Sequence, residues 1–253
     1  MKKVLTGMII LMVLSFIFVV SYPDLIFSKP SPAAEKGTIN LTQWDFAKNG
    51  AVQLNGEWEL YDGQLLSPAD FLGSGTQKPE LTGYVNLTSS RTLDGKDTPK
   101  SPKGIRTYRL VMKVNPSRQV FGLSVDNVKM SNRVYVNGVV QGQSGNPAEE
   151  NKGYAPLNCA YDSYFQTEGN QVEILLQVAN FDYPFSGTQY KVDFGLQKDI
   201  GLMSTTTTAI ELAGALLNFL FGIFYLGIYS IRKKDKSFLY FSIQFFVLSI
   251  MVL

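Results

Sequence analysis

Two pairs of neighbouring carboxylates, Glu57 with Glu59 and Glu149 with Glu150, are the first residues whose type and spacing suggest a reaction. Glycoside hydrolysis needs two carboxyl groups flanking the scissile bond, one acting as acid and the other as base or nucleophile. Glu57 and Glu59 are two apart on one strand face, the pattern of a solvated surface, and Glu149-Glu150 falls in a loop. Neither pair makes an acid and a base in different environments. Histidine is absent and Cys159 is the only cysteine, so zinc sites, haem ligation and histidine-dependent triads lack their usual donors. We therefore expect no catalytic residues, no metal and no cofactor.

Binding chemistry is better supplied. A sugar ring stacks its C–H face on an aromatic plane while polar neighbours take its hydroxyls. Trp44 and Trp58 offer such planes. Trp58 alternates onto the buried side of its strand, a core position, while Trp44 is carried forward as a candidate ligand contact. Two loops add Tyr154, Asn158, Tyr161, Asp162 and Tyr164, and Asp182, Tyr183 and Phe185. Loops on a rigid scaffold carry binding more often than strands. The competing reading of these aromatics is a packed cover over the end of the scaffold.

That scaffold reads as β. From Thr38 onward the apolar period is two: Tyr108, Leu110, Met112 and Val114 alternate with Thr107, Arg109 and Lys113, and Val172, Ile174, Leu176 and Val178 with Glu173 and Gln177. Trp58 and Leu60 alternate with Glu57 and Glu59. Asn137-Gly138, between Val134-Tyr135-Val136 and Val139-Val140, is the dipeptide of a type I′ hairpin. Short antiparallel strands without a long helical pattern predict a mainly β domain, a β-sandwich or jelly roll, with surface loops at Gly73–Pro79 and Asp94–Gly104.

The flanks are of another kind. Lys2 and Lys3 precede an apolar run, Val4 to Val20, which reads as a secretory signal or an uncleaved signal anchor. A second stretch, Thr208 to Ile231, is long enough to cross a bilayer, and a third begins at Phe238 after Arg232, Lys233, Lys234, Asp235 and Lys236. The pair predicts a transmembrane helical hairpin with a basic tip, and positive residues in short loops stay cytoplasmic. The expected organisation is a signal or anchor over 1–21, a linker over 22–37, an extracellular domain over 38–203 and membrane helices over 204–253. The apolar run still in progress at Leu253 reads as part of a longer protein. Between Asp24 and Thr205 there are 17 lysines and arginines against 19 aspartates and glutamates, so no basic face for nucleic acid is expected.

Inside the first C-terminal span lie Glu211 and Asn218, two helical turns apart, with Gly214 between them. An ionisable group at membrane depth is costly, so Glu211 either sits at headgroup level or belongs to a seam of Glu211, Gly214 and Asn218 against another helix, with Phe219 and Phe224 turned outward.

The segments LTQWDF (Leu41–Phe46), VQLNGEWELYDGQLL (Val52–Leu66), TYRLVMKV (Thr107–Val114), NRVYVNGVVQGQSG (Asn132–Gly145) and VEILLQVANF (Val172–Phe181) together resemble the type 2 extracellular domain of bacterial seven-transmembrane receptors with diverse intracellular signalling modules. RKKDKSFLYF (Arg232–Phe241) resembles the first cytoplasmic loop and second helix of that family's membrane domain. The outer region is also similar to the jelly-roll sugar-binding domain of family 2 glycoside hydrolases, through the NGEW strand and the VNG hairpin. The resemblance implies a galactose-binding-like jelly roll, a carbohydrate as one class of extracellular ligand, and a cytoplasmic kinase, cyclase or phosphatase module as output. Where the family tends to a glycine-rich turn, this chain has Asn180 to Gly187, which bears on ligand chemistry rather than fold.

The expectation is thus a sensory receptor in the cell membrane, multi-pass, with 38–203 outside and 232–236 inside. Its partners are an extracellular ligand, the bilayer and a signalling domain, with a homodimer admissible. The alternative is a membrane-held carbohydrate- or cell-wall-binding module with no output.

Overall fold

The computed structural model describes residues 31–87, 101, 103–115, 118–126, 128–167, 169–184 and 190–252. The expected N-terminal helix with Lys2 and Lys3, most of the linker, Phe185 and most of the Asp94–Gly104 loop lie outside them. The described chain is mainly β, two sheets followed by a helical part. The larger sheet contains β1 (Thr38–Asn40), β3 (Glu57–Asp62), β4 (Gly83–Asn86), β5 (Gly104–Lys113), β7 (Ser131–Val136), β8 (Val139–Ser144) and β10 (Gln171–Asn180). Its order is β4-β3-β5-β10-β7-β8, with β1 also beside β5. The smaller sheet contains β2 (Val52–Gln53), β6 (Val120–Asp126), β9 (Tyr161–Gln166) and β11 (Lys191–Leu196), in the order β2-β11-β6-β9.

Alternation builds one shared core. Trp58, Tyr108, Leu110, Met112, Ile174 and Leu176 of the larger sheet meet Phe121, Leu123, Val125 and Phe194 of the smaller. Each fully buried large apolar side chain contributes about 1.5–3 kcal/mol. Trp58 is 0% exposed and its indole N–H donates to the Leu54 carbonyl at 3.0 Å, so its one polar atom is satisfied. The expected hairpin is present: Asn137 and Gly138 have φ of 48° and 83°, the positive angles a type I′ turn requires.

Two features depart from the alternating, antiparallel expectation. First, β1 pairs parallel to β5, Thr38 opposite Val111 and Asn40 opposite Lys113. The antiparallel partner β3 occupies only Arg106–Arg109 of that edge, and β1 takes the hydrogen-bonding groups left beyond it. Second, the outer face of the larger sheet is not uniformly wet. Thr107 and Gln177 are buried beneath the segment that follows β3, where the Leu66 amide donates to Thr107 Oγ1 at 2.8 Å and Gln177 Nε2 to the Leu66 carbonyl at 2.8 Å. Glu59, expected to be solvated, accepts from Arg109 at 3.0 Å, and Arg109 also pairs with Glu173 at 2.6 Å.

Two short helices, α1 (Phe46–Asn49) and α2 (Pro68–Phe71), are followed by α3 (Gln197–Ile231) and α4 (Ser237–Val252). α3 begins directly after β11, eleven residues before the apolar stretch that signalled it. It turns back along the outer face of the smaller sheet in the direction of β6. Ile200 is 0% exposed and seats on Gly122, where an added Cβ would fall 2.9 Å from the Ile200 side chain. Beyond Glu211, α3 carries exposed Leu212, Leu216, Leu220 and Phe224, and packs antiparallel on α4. Ser242 and Ser249 donate to the Gly222 and Ala215 carbonyls, each at 2.8 Å, and Phe219 packs on Phe246 at 5.4 Å between ring centres.

Candidate functional site

Strand direction assigns two ends to the sandwich. β6 runs from Val120 to Asp126, β11 returns from Lys191 to Leu196, and α3 turns at Leu196 and leaves beside Asp126 and Lys191. The end at Val120 is where α3 begins. The end at Asp126 is where it departs.

Trp44 lies at the first end, in a cavity of about 420 Å³. Asp45 caps α1, its Oδ1 accepting from the Ala47 and Lys48 amides at 3.0 and 3.3 Å. Desolvation works to raise that carboxyl, but the Lys48 ammonium at 3.4 Å and the two amides hold it below the usual carboxylate range. The cap fixes Trp44, whose indole N–H donates to the Gly50 carbonyl at 3.1 Å, and directs Phe46 inward, edge-on to Phe121 and Phe194 at 5.5 Å each. Asn115 reaches across from the end of β5, Nδ2 donating to the Thr42 carbonyl at 2.7 Å. The result is an apolar floor of Leu41, Phe46 and Phe121 within a rim of Gln43, Trp44, Asp45, Asn115 and Gln119. An aromatic wall beside amides and a carboxylate is the chemistry of a neutral polyhydroxyl ligand.

The other residues singled out in the sequence do not join Trp44. Tyr161 and Asp162 open β9, and Asp162 faces α3 across a second cavity of about 390 Å³ whose walls include Asp126, Lys191, Asp193, Thr208 and Glu211. Lys191 Nζ stands 3.9 Å from Asp193 Oδ2. Tyr161 is structural: its hydroxyl donates to the buried Asn132 side chain at 2.6 Å, and burial pushes its phenol well up. Tyr164 lies under the first turns of α3, beside Gly122 and Gly201. Tyr154 packs edge-on against Phe181 at 5.0 Å, and burial pushes its hydroxyl up as well. Tyr183 is held by Asn180, whose Oδ1 accepts from its amide at 2.9 Å, and lies under Lys129 at 5.7 Å. Asn158 and Asp182 are exposed at the same end. Among the described residues no three histidine, cysteine or acidic side chains are placed to hold a metal ion.

Glu211 is exposed on α3 and faces the second cavity, while Asn218 bonds back to the Gly214 carbonyl at 3.0 Å. α4 packs on α3 at Ala215 and Gly222, with Gly214 and Asn218 half-buried on the same side, while Phe219 is 46% exposed and touches the edge of α4 through the Phe246 ring. Asn115, Gln119 and Phe121 carry no signal in the sequence because they come from the connection between β5 and β6 and from the start of β6, remote in the chain from Trp44. The Gly122 contact did leave a signal: a glycine inside an alternating strand marks a close backbone approach.

No family model matches the chain, and no curated protein matches it. Among solved structures, it is similar over 58% of its length to 29% of a β-glucuronidase from Ruminococcus gnavus, at 12% identity and a TM-score of 0.41. A GH2 β-galacturonidase from Eisenbergiella tayi gives 12% identity and a TM-score of 0.37, over 57% of this chain and 24% of that one. The chain thus spans less than a third of the length of either enzyme.

Proposed function

We propose that this chain is the sensory part of a multi-pass membrane receptor. A galactose-binding-like jelly roll outside the cell takes a carbohydrate-class ligand in the Trp44 cavity, and α3 carries the consequence through the bilayer to a cytoplasmic signalling module. The observation that supports this best is the continuity of α3. One unbroken helix is seated on the sandwich through Ile200 and then runs for twenty residues, Leu212 to Ile231, with bulky apolar side chains exposed. At about 1.5 Å per residue those twenty span about 30 Å, the thickness of a hydrocarbon core. A water-soluble protein rarely leaves so large an apolar surface uncovered.

The two tryptophans make the binding half directly measurable. Trp58 is sealed in the core, so a change in indole emission when sugars are added to the chain in nanodiscs reports Trp44. The expected result is a saturable change with a mono- or disaccharide, and titration calorimetry, which needs no indole reporter, should show Trp44→Ala weakening binding roughly tenfold through loss of stacking and area. A full sugar panel without a saturable change removes the carbohydrate reading. The same apolar-floored, amide-rimmed cavity also suits a passive wall-binding module. Hydrogen exchange separates the two: ligand alters protection over 197–211 in a receptor and leaves it unchanged in an anchor.

A further inference from the structure

We infer that the sandwich stands on the outer leaflet, with the segment Ala155–Ala160 lying in the lipid headgroup layer. This rests on α3 crossing the membrane. Ala160 precedes Tyr161, the partner of Val125, and so lies beside Asp126 at the end of the sandwich where α3 departs, where it borders the same cavity as Glu211. Leu212 then opens the twenty-residue apolar stretch. Each headgroup layer is about 5–8 Å thick, so whatever projects from this end of the sandwich enters it.

What projects suits that layer. All six residues from Ala155 to Ala160 are exposed, and five of them, Ala155, Pro156, Leu157, Cys159 and Ala160, are apolar. Leu157 is 54% exposed. The strap is nevertheless fixed: the Leu157 amide donates to the Met130 carbonyl at 2.6 Å, and Ser144 Oγ donates to the Leu157 carbonyl and accepts from the Cys159 amide, both at 3.0 Å. An apolar tip held in place on the outside of a folded domain, and left uncovered by the other described residues, has the character of an anchor. Beside it, Lys129 lies over the Tyr183 ring, and Lys and Tyr are side chains that settle at a membrane interface with stem or ring inward and polar tip in water. The proposed occupant is therefore the phospholipid headgroup region, reached as a direct consequence of how α3 is docked.

Cys159 is the native probe, being the only cysteine and exposed. The full chain is reconstituted in phosphatidylcholine vesicles with bimane on Cys159, and nitroxide-headgroup phosphatidylcholine is titrated in. Bimane at Cys159 is expected to lose most of its emission. Bimane on Asn170→Cys in a Cys159→Ser background, at the opposite end of the sandwich, keeps its emission. Leu157→Asp, at a site open enough to leave folding intact, restores much of the Cys159 signal. A third label, Leu220→Cys in the same background, is read against lipids brominated in the acyl chain and reports the span alone. Quenching at Leu220 without quenching at Cys159 overturns the standing geometry and keeps the span; loss of both overturns the span as well. A Cys159 label shielded from aqueous iodide yet untouched by the nitroxide lipid means that another protein surface, such as a second copy, covers the strap, and the lipid assignment falls.

Discussion

Asp70 shows how a single side chain organises the segment that seals the outer face of the larger sheet. Its Oδ2 accepts from the Ser67 amide and hydroxyl at 2.7 and 2.6 Å, and its Oδ1 from the Gln77 amide at 2.8 Å. Burial works to raise this carboxyl, but those donors outweigh it and hold the group below its ordinary value. A carboxyl whose folded value is depressed adds stability at pH above its unfolded value, about 3.9, and loses it as pH falls through the folded one. Acid unfolding of the wild-type chain should therefore steepen below about pH 4. In Asp70→Asn that part of the slope should vanish, at the cost of lower stability at neutral pH, as read by tyrosine fluorescence across a pH series. An unchanged slope would mean that Asp70 does not hold the segment. The Ser67 bonds are what a Ser-x-x-Asp helix start specifies locally, whereas the bond to the Gln77 amide, seven residues on, follows from no local pattern.

Local pattern and long-range pairing part company among the elements. The Asn137-Gly138 hairpin and the alternation of β3, β5 and β10 could be read directly, because positive φ and a period of two are properties of neighbouring residues. The parallel β1 could not, because its partner lies more than seventy residues on and the vacancy it fills is set by the length of β3. Nor could the start of α3. Leu196 caps it without a side-chain hydrogen bond, and Gln197 to Ser204 is neither apolar nor flanked by a stop signal. The Trp44 cavity was half legible, the aromatic visible and its rim from the connection between β5 and β6 hidden. For the element that joins the two halves, Gly122 is the decisive position. Gly122→Val would overpack the seat of Ile200 at a cost of about 1–3 kcal/mol. Amides 197–211 should then exchange faster while those of β5 and β10 keep their protection, as hydrogen exchange would measure. Equal loss in the strands would mean that the seat belongs to the core and not to the docking of α3.

For the whole molecule, the basic turn Arg232–Lys236 and the sandwich should be on opposite sides of the membrane. In a Cys159→Ser background, Ser101→Cys should react with an impermeant maleimide on intact cells, and Ser237→Cys only after permeabilisation. The reverse pattern would invert the molecule and remove the receptor reading.

The seat of Ile200 on Gly122 has a mechanical meaning. It clamps α3 close to its origin, at the end of the sandwich where the Trp44 cavity lies, and the second cavity leaves the helix unsupported on one side below the clamp. A beam held this way is a cantilever. At about 1.5 Å per residue, a tilt of about 5° at Ile200 carries Leu212 through about 1.6 Å and Ile231 through about 4 Å. A sub-ångström rearrangement of Phe121 against Phe194, at the root of the beam, would thereby be magnified along its length, so displacement would be smallest beside the Trp44 cavity and largest at the basic turn after Ile231.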